Sequence, residues 1–573
     1  MLSLDQYHYL TFMNITFYFS NTCILHIKII FSLIILNLKV NLMNNFNKIF
    51  GSFKFSFIPP LMIYLAAGVS GITNIVGLFF VKEYLDLSAI FLAGLGFWAG
   101  LPWVLKMPLG HLVDILWKFK SILVILGALV MATSSIIMYF LINYKSEMLN
   151  VFNAETWFVI SSLLAPIGFV LQDVVADAMT VEAVPKIDEK GKIIDFKILK
   201  SMNISMQLLG RVAIIFGTLL VSMLNLIVFS DSSEMTELDK IKAYGEIYLY
   251  SLIVPLISIS GIILAYFNKQ NKYKSLIKNG INAQKAKKMI FTISEITKPN
   301  LLIIIGSIIF VFFTLAIGLS NIQFSQEIVF IGSFGIILFL LMKLSNELDL
   351  NAKKMLLGTA VIIFTFRAMP GVGQGGSWFE IDILEFDQEF LSLLGLIASI
   401  LTIIGIFILR PLMEKSSMTT LIVILSITGS LFVLPSIAMY YGFHEYTSKI
   451  TNGVVDARFI AVFNTAIESP LGQVSMIPIL AWIAQSAPNH LKATFFAVLA
   501  SFTNLALSAS NLGTKYLNQF FVITREIKTE AGEIKIPADY SDLGVLLIIV
   551  ALLTLTIPIF TTFVVKKVRL VSY

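Results

Sequence analysis

The sequence predicts an all-α polytopic membrane protein, and three observations carry that prediction. Apolar residues make up 57% of the chain and charged residues only 13%, a balance too greasy to coat a water-soluble core. Apolar stretches of about 20 residues recur between short polar gaps, and at about 1.5 Å per helical residue each one crosses a hydrocarbon core of about 30 Å. The stretches lack the roughly ten-residue alternation of an outer-membrane barrel, and an open sheet would leave backbone groups unpaired in lipid. Helices are the element that remains.

Taken in order, six spans come first, near 57–81, 88–109, 120–142, 157–181, 200–229 and 246–267. The stretch "NKQNKYKSLIKNGINAQKAKKM" follows, rich in Lys and free of acid, as expected of a cytoplasmic linker. Eight more spans then fall near 300–319, 325–343, 354–372, 387–409, 417–440, 458–485, 489–514 and 541–565. The sum is about fourteen: two six-helix bundles, residues 43–267 and 354–573, joined by a basic linker, 268–299, and an inserted helical pair, 300–353. If the spans alternate from a cytoplasmic start near residue 43, the inner segments hold most of the Lys and Arg. This frame places both termini in the cytoplasm and the protein in the cell inner membrane. The segments "KIDEKGKIID" (186–195) and "TEAGEIKIPADYSD" (529–542) read as polar hairpins turning at Gly191 and Gly532.

Residues 1–42 form an N-terminal extension of a different kind. "CILHIKIIFSLIILNL" is apolar but broken by His26 and Lys28, and it precedes a second Met at 43. A mis-called start, an amphipathic or extra spanning helix, and a signal peptide are the readings it admits.

Composition also excludes function classes. The lone Cys23 forms no intrachain disulfide and no cysteine cluster, and His8, His26, His111, His444 and His490 are scattered without ligand spacing. No metal or other cofactor is expected. No stretch carries the charge density or fold signature of a nucleic-acid surface, so the expected partners are the lipid bilayer, a small-molecule anionic substrate and protons. A membrane enzyme would need a nucleophile, metal ligands or an acid/base set at one face, and the sequence offers no such constellation.

Charges inside the apolar spans carry the functional argument, because a charge near a bilayer centre costs roughly 3 kcal/mol on insertion scales. The cations are Lys106, Arg211 and Arg367; the acids are Asp173, Asp177 and Glu468, with Glu182 near a membrane edge. Asp173 and Asp177 are four residues apart, about 40° from each other around a helix, so they share one face. Such a pair serves to couple transport to protons, or else to clamp the first bundle by pairing with Arg211 or Lys106. Lys106 lies in "LPWVLKMPLGHLVD", where Pro102 and Pro108 interrupt the backbone ladder; it either snorkels to the headgroups or meets substrate or aspartate.

Arg367 ends the ninth span, just before "AMPGVGQGGSWFEIDILEFDQEF". Its planar, permanent charge suits an anionic group of a substrate, and the Pro and Gly residues beyond it unwind the helix where irregular backbone lines a cavity. Pairing with Glu468 is its alternative. The acids Glu380, Asp382, Glu385 and Asp387 are expected in a solvated outer loop. Along 490–514 small residues repeat at helical spacing, which favours close packing, with Asn504 a substrate candidate as well.

Gly110 and Asp114 form a G-x3-D arrangement that resembles the loop motif between the second and third helices of the major facilitator superfamily, where the acid helps latch the cytoplasmic gate. Ile115 and Trp117 depart from that motif. Together "LPWVLKMPLGHLVD", "QDVVADAMTVEAV", "SWFEIDILEFDQEFLSLLG" and "LKATFFAVLASFTNLALSASNLG" resemble the folate-biopterin transporter family within that superfamily. The resemblance implies a major-facilitator-like carrier working by alternating access on folates or pterins, coupled to protons, with Lys106, Asp173, Asp177 and Arg367 around the cavity. Departures are the inserted helical pair and "LLGRVAIIFGTLL", whose Arg211 setting is closer to the muropeptide permeases. The reading is therefore a secondary transporter of a small organic anion, folate or pterin first, with a muropeptide-type permease and a non-transporting membrane scaffold or sensor as alternatives.

Overall fold

The computed structural model describes residues 53–570 apart from 86, 105, 107–108, 110–111, 114–115, 117–118, 185–195, 230–234, 292–300, 319, 321, 347, 410–411, 414–415, 473, 475, 478, 480–491 and 529–533, and not every helical side chain. The N-terminal extension 1–42 and the hairpin expected at 186–195 lie outside the described residues.

The first span divides into α1 (Ile58–Val69) and α2 (Asn74–Tyr84) around a 3-10 turn at Ser70–Thr73. Then follow α3 (Ala89–Val104), α4 (Lys120–Asn143), α5 (Lys145–Leu149), α6 (Ala154–Ala183), α7 (Phe196–Val228), α8 (Glu237–Tyr250) and α9 (Ile253–Lys278). The basic linker is itself helical where described: α9 runs on past the expected end of its span to Lys278, and α10 (Ala283–Phe291) follows a turn at Gly280, φ +85°. The inserted pair is α11 (Leu301–Gly318) and α12 (Ser325–Ser345).

The second half contains α13 (Leu350–Arg367), α14 (Gln374–Asp382), α15 (Gln388–Ile408), α16 (Met418–Tyr440), α17 (Phe443–Ile450), α18 (Ala457–Glu468), α19 (Lys492–Phe520) and α20 (Leu543–Lys567). Strands β1 (Ile527–Lys528) and β2 (Ile534–Ile536) pair antiparallel across the segment expected to turn at Gly532, itself outside the described residues. Most expected spans overlap a described helix, but the one expected at 458–485 is helical as α18 only over Ala457–Glu468 before residues outside the described ones, and the one expected at 354–372 stops at Arg367. Among the described residues nine stretches are long and apolar enough to cross a membrane, and Ala89–Val104 and Ile304–Gly318 are shorter apolar helices.

Helix starts follow side-chain capping. Asn153, Asp349, Asp387 and Asp456 each accept a backbone N–H three residues on, at 2.7–2.8 Å, and so end the loops before α6, α13, α15 and α18. Packing between helices follows small residues rather than hydrophobic contrast, because lipid is as apolar as Leu. On α4 Val124, Gly127 and Ala128 are buried while Ile122, Ile125, Leu126 and Leu129 face outward. A Cβ on Gly127 would lie 2.5 Å from the carbonyl oxygen of Gly168 on α6, and one on Gly217 of α7 would lie 2.6 Å from that of Leu65 on α1. These glycines set how closely α4 meets α6 and α1 meets α7.

Divided by chain order at the inserted pair, the helices make two groups in close contact with each other. In the first, α1 packs on α6, α7 and α9, α4 on α6, α8 and α9, and α3 on α6; in the second, α16 packs on α20 and α13 on α19 and α20. The groups meet along α3 against α19 and α7 against α15. Hydrogen bonds cross the boundary from Gln388 Nε2 to Tyr244 Oη (2.7 Å), between the Thr218 and Ser399 hydroxyls (3.1 Å), and from Arg525 to the Leu85 carbonyl.

Candidate functional site

α6 sets two carboxylates one turn apart on a single face, and the end of the second span brings a cation between them. Lys106 Nζ lies 2.6 Å from Asp173 Oδ2 and 2.6 Å from Asp177 Oδ2. The three side chains are 17%, 12% and 32% exposed, so lysine here is held by aspartates rather than drawn out to headgroups. Tyr64 on α1 completes the centre by donating its hydroxyl to Asp177 Oδ1 at 2.6 Å. The ring fits because Gly210 on α7 has no side chain; a Cβ there would sit 2.9 Å from Tyr64 Cε2.

One ammonium between two ionised carboxylates leaves one negative charge in excess, which in a low-dielectric setting asks for a further cation or a proton. Arg211 follows Gly210 on α7 and makes no ion pair within 4.0 Å among the described residues.

Arg367 is the last residue of α13 and belongs to the second group of helices. Its Nη1 lies 3.8 Å from Met476 Sδ, and no carboxylate pairs with it among the described residues. Glu468, the partner that the sequence offered as an alternative, stands exposed at the end of α18. Arg211 on α7 likewise has no ion pair within 4.0 Å among the described residues, so each helix group carries a guanidinium without an acidic partner.

The break after Arg367 is held by one face of α19. Ser510 Oγ donates to Met369 O at 2.6 Å, Gly371 N donates to Thr514 Oγ1 at 2.9 Å, and Asn518 Nδ2 donates to Val372 O at 3.1 Å. Residues at i, i+4 and i+8 thus pair backbone groups that the unwound segment would leave bare. Gly373 ends the break at φ +80°, the left-handed region that glycine enters without strain.

Other sequence-predicted residues fall elsewhere. Asn504 Nδ2 donates to Trp103 O at 3.1 Å, tying α19 to α3. Glu182 is on the last turn of α6 with its side chain outside the described residues, as are Gly110 and Asp114 altogether. The acids after the break are not uniformly solvated. Asp387 caps α15 and pairs with Arg458 at 3.1 Å, Asp382 accepts the Tyr540 hydroxyl, and burial pushes the Glu380 carboxyl up to about 7. Glu380 and Asp382 belong to α14 itself, and Tyr540, beyond β2, supplies the contact to Asp382, which the density of acidic residues did not foretell. Tyr64, Thr514 and Asn518 were missed; a polar-tipped aromatic inside an apolar span was the one available signal.

Comparison with known proteins bears on the family and the fold. A family model described as the BT1 family matches residues 67–572. A folate-biopterin transporter of Synechocystis sp. is 23% identical over 154 residues, 27% of this chain and 30% of that protein, so the match spans under a third of the relative's length. Among solved structures, a POT family transporter in complex with a thioalcohol-conjugated peptide superposes with a TM-score of 0.50 at 11% identity, covering 90% of this chain and 96% of that one. The xylose transporter XylE from E. coli gives 0.47 at 15% identity, covering 89% and 96%. The fold is helical apart from the short β1–β2 pair and of the major-facilitator type, the fold class the sequence predicts, without the count of fourteen spans being fixed.

Proposed function

The chain belongs to the BT1 family, and from that premise we propose that it is a secondary transporter, not an enzyme, carrying a small organic anion, a folate or pterin first, in exchange for or together with protons. The observation that supports this reading is the Arg211–Arg367 pair. Two permanently charged guanidiniums, one on α7 and one at the end of α13, have no carboxylate partner among the described residues. Leaving such charges uncompensated is costly, and an anion held between them would satisfy both.

The Lys106 centre supplies the proton link. While Asp173 and Asp177 are both ionised they hold Lys106. Protonating one of them loosens that hold and leaves more positive charge to meet the anion. Binding and protonation then favour each other, which gives the two ligands a differential interaction with the states of the carrier. Asn504 contributes by holding α19 to α3 beside the cavity, while Gly110 and Asp114 gate the cytoplasmic side. Glu468 and Glu182 stay outside the binding step. The protein sits in the cell inner membrane with both termini in the cytoplasm.

Uptake of labelled folates, pterins, muropeptides and nucleotides into proteoliposomes, with and without a pH gradient, tests the reading. Gradient-driven uptake of a folate or pterin that Arg367→Ala abolishes supports it. Preference for muropeptides moves the substrate, and no uptake of any compound favours a scaffold or sensor.

A further inference from the structure

The inserted helices α11 and α12 do not stand apart from the two groups. At the first turn of α12, Gln326 bonds in both directions: its Nε2 donates to Gly94 O of α3 at 3.3 Å, and its Oε1 accepts from Lys515 Nζ of α19 at 3.0 Å. Glu327, the next residue, accepts from the same Lys515 Nζ at 3.0 Å and from Tyr516 Oη at 2.6 Å. Lys515 Nζ also lies 5.4 Å from the centre of the Tyr516 ring. Beyond this polar cluster Phe97 and Leu101 of α3, Val329 of α12, and Phe502 and Leu505 of α19 share one buried apolar cluster.

The two attachments differ in kind. Toward α19, α12 has an ion pair whose members are each 18% exposed, reinforced by a tyrosine and by an acid placed where the helix dipole favours it. Toward α3 its polar attachment is one neutral hydrogen bond to a backbone carbonyl, made where Gly94 leaves room; a Cβ there would sit 2.9 Å from Gln326 Nε2. When α3 and α19 separate, the bond to α3 is the one that yields.

We infer that the inserted pair is a clasp across the α3–α19 seam: it travels with the second helix group through Glu327, Lys515 and Tyr516, and holds the seam shut through Gln326 on Gly94. The motion it restrains rests on the reading of the chain as an alternating-access carrier. The same end of the seam also carries the Arg525 bond to the Leu85 carbonyl, so the clasp adds to a closure already made by the two groups themselves.

The test uses the purified full chain in nanodiscs, with Cys23→Ser as background and spin labels at Ser88→Cys and Phe520→Cys, both exposed and on opposite sides of the seam. Pulsed electron paramagnetic resonance then reads the distance distribution without needing a substrate. Gln326→Ala and, independently, Gly94→Ala are each expected to raise the ratio of long to short distances by about threefold, the usual weight of one interhelical hydrogen bond in a bilayer. Two populations in the parent protein that neither variant shifts would overturn the clasp and leave alternating access standing. A single distance in all three proteins would overturn both.

Discussion

The surroundings of Lys106 and of Arg367 are built in opposite ways. Around Lys106 opposite charges face one another: two aspartates hold one ammonium, and a tyrosine donates to a further carboxylate oxygen. Around Arg367 the charge meets a thioether and no carboxylate among the described residues. The first region is built within one helix group. The second offers a guanidinium without an acidic side chain beside it, which is why it reads as a place for a ligand and the first as the device that responds to it.

The sharpest break of the comparison is Lys106→Ala. Removing one member of a buried ion pair leaves uncompensated charge and costs about 3–5 kcal/mol. A large fall in thermal stability in detergent is expected, partly restored when Asp173→Asn and Asp177→Asn are added. If the single variant is as stable as the parent, the aspartates do not depend on Lys106.

Tyr64→Phe comes next, because a hydrogen bond to a charged group is worth about 1.5–3 kcal/mol. Its expected signature is a stability loss smaller than that of Lys106→Ala, since Asp177 would lose one of its two donors. A melting temperature equal to the parent's would mean that the Tyr64 hydroxyl adds nothing to the centre.

Arg367→Ala sharpens the other side. It should cost no stability and lower substrate affinity about tenfold or more, the equivalent of ~1.4 kcal/mol. A marked loss of stability would mean that Arg367 has a structural partner after all.

The smallest effect belongs to Glu380, a half-buried acid outside the membrane-spanning segments that resembles neither region. Its carboxyl is pushed up to about 7 by burial, whereas an unfolded glutamate titrates near ~4.3. The folded state binds the extra proton between those values, so stability is full below about pH 4.3 and falls as pH rises through about 7. Glu380→Gln should flatten that decline in a pH series of melting temperatures, and an unchanged slope would assign the decline to other groups.

Much of this was legible beforehand. The apolar runs located the helices, and the four-residue spacing of Asp173 and Asp177 put both carboxylates on one face, because that spacing is a property of the helix itself. Pairing across helices was less legible, since it depends on how each helix is rotated about its axis. Lys106 therefore had two readings until α3 was seen against α6, and Arg367 could be set against Glu468 on paper although the two do not pair. The ladder of Ser510, Thr514 and Asn518 looked like a stripe of small and polar residues. Its role appears only once the broken backbone after Arg367 lies beside it.

The most direct test of the account is a double-mutant cycle on Arg211 and Arg367, read as the thermal stabilisation that a folate or pterin gives the purified protein. If one anion bridges the two guanidiniums, each single alanine variant should lose most of that stabilisation and the double variant little more, a coupling of the kind seen between groups sharing one partner. Losses that simply add, or ligand stabilisation that survives in Arg367→Ala, would contradict an anion held between the two helix groups.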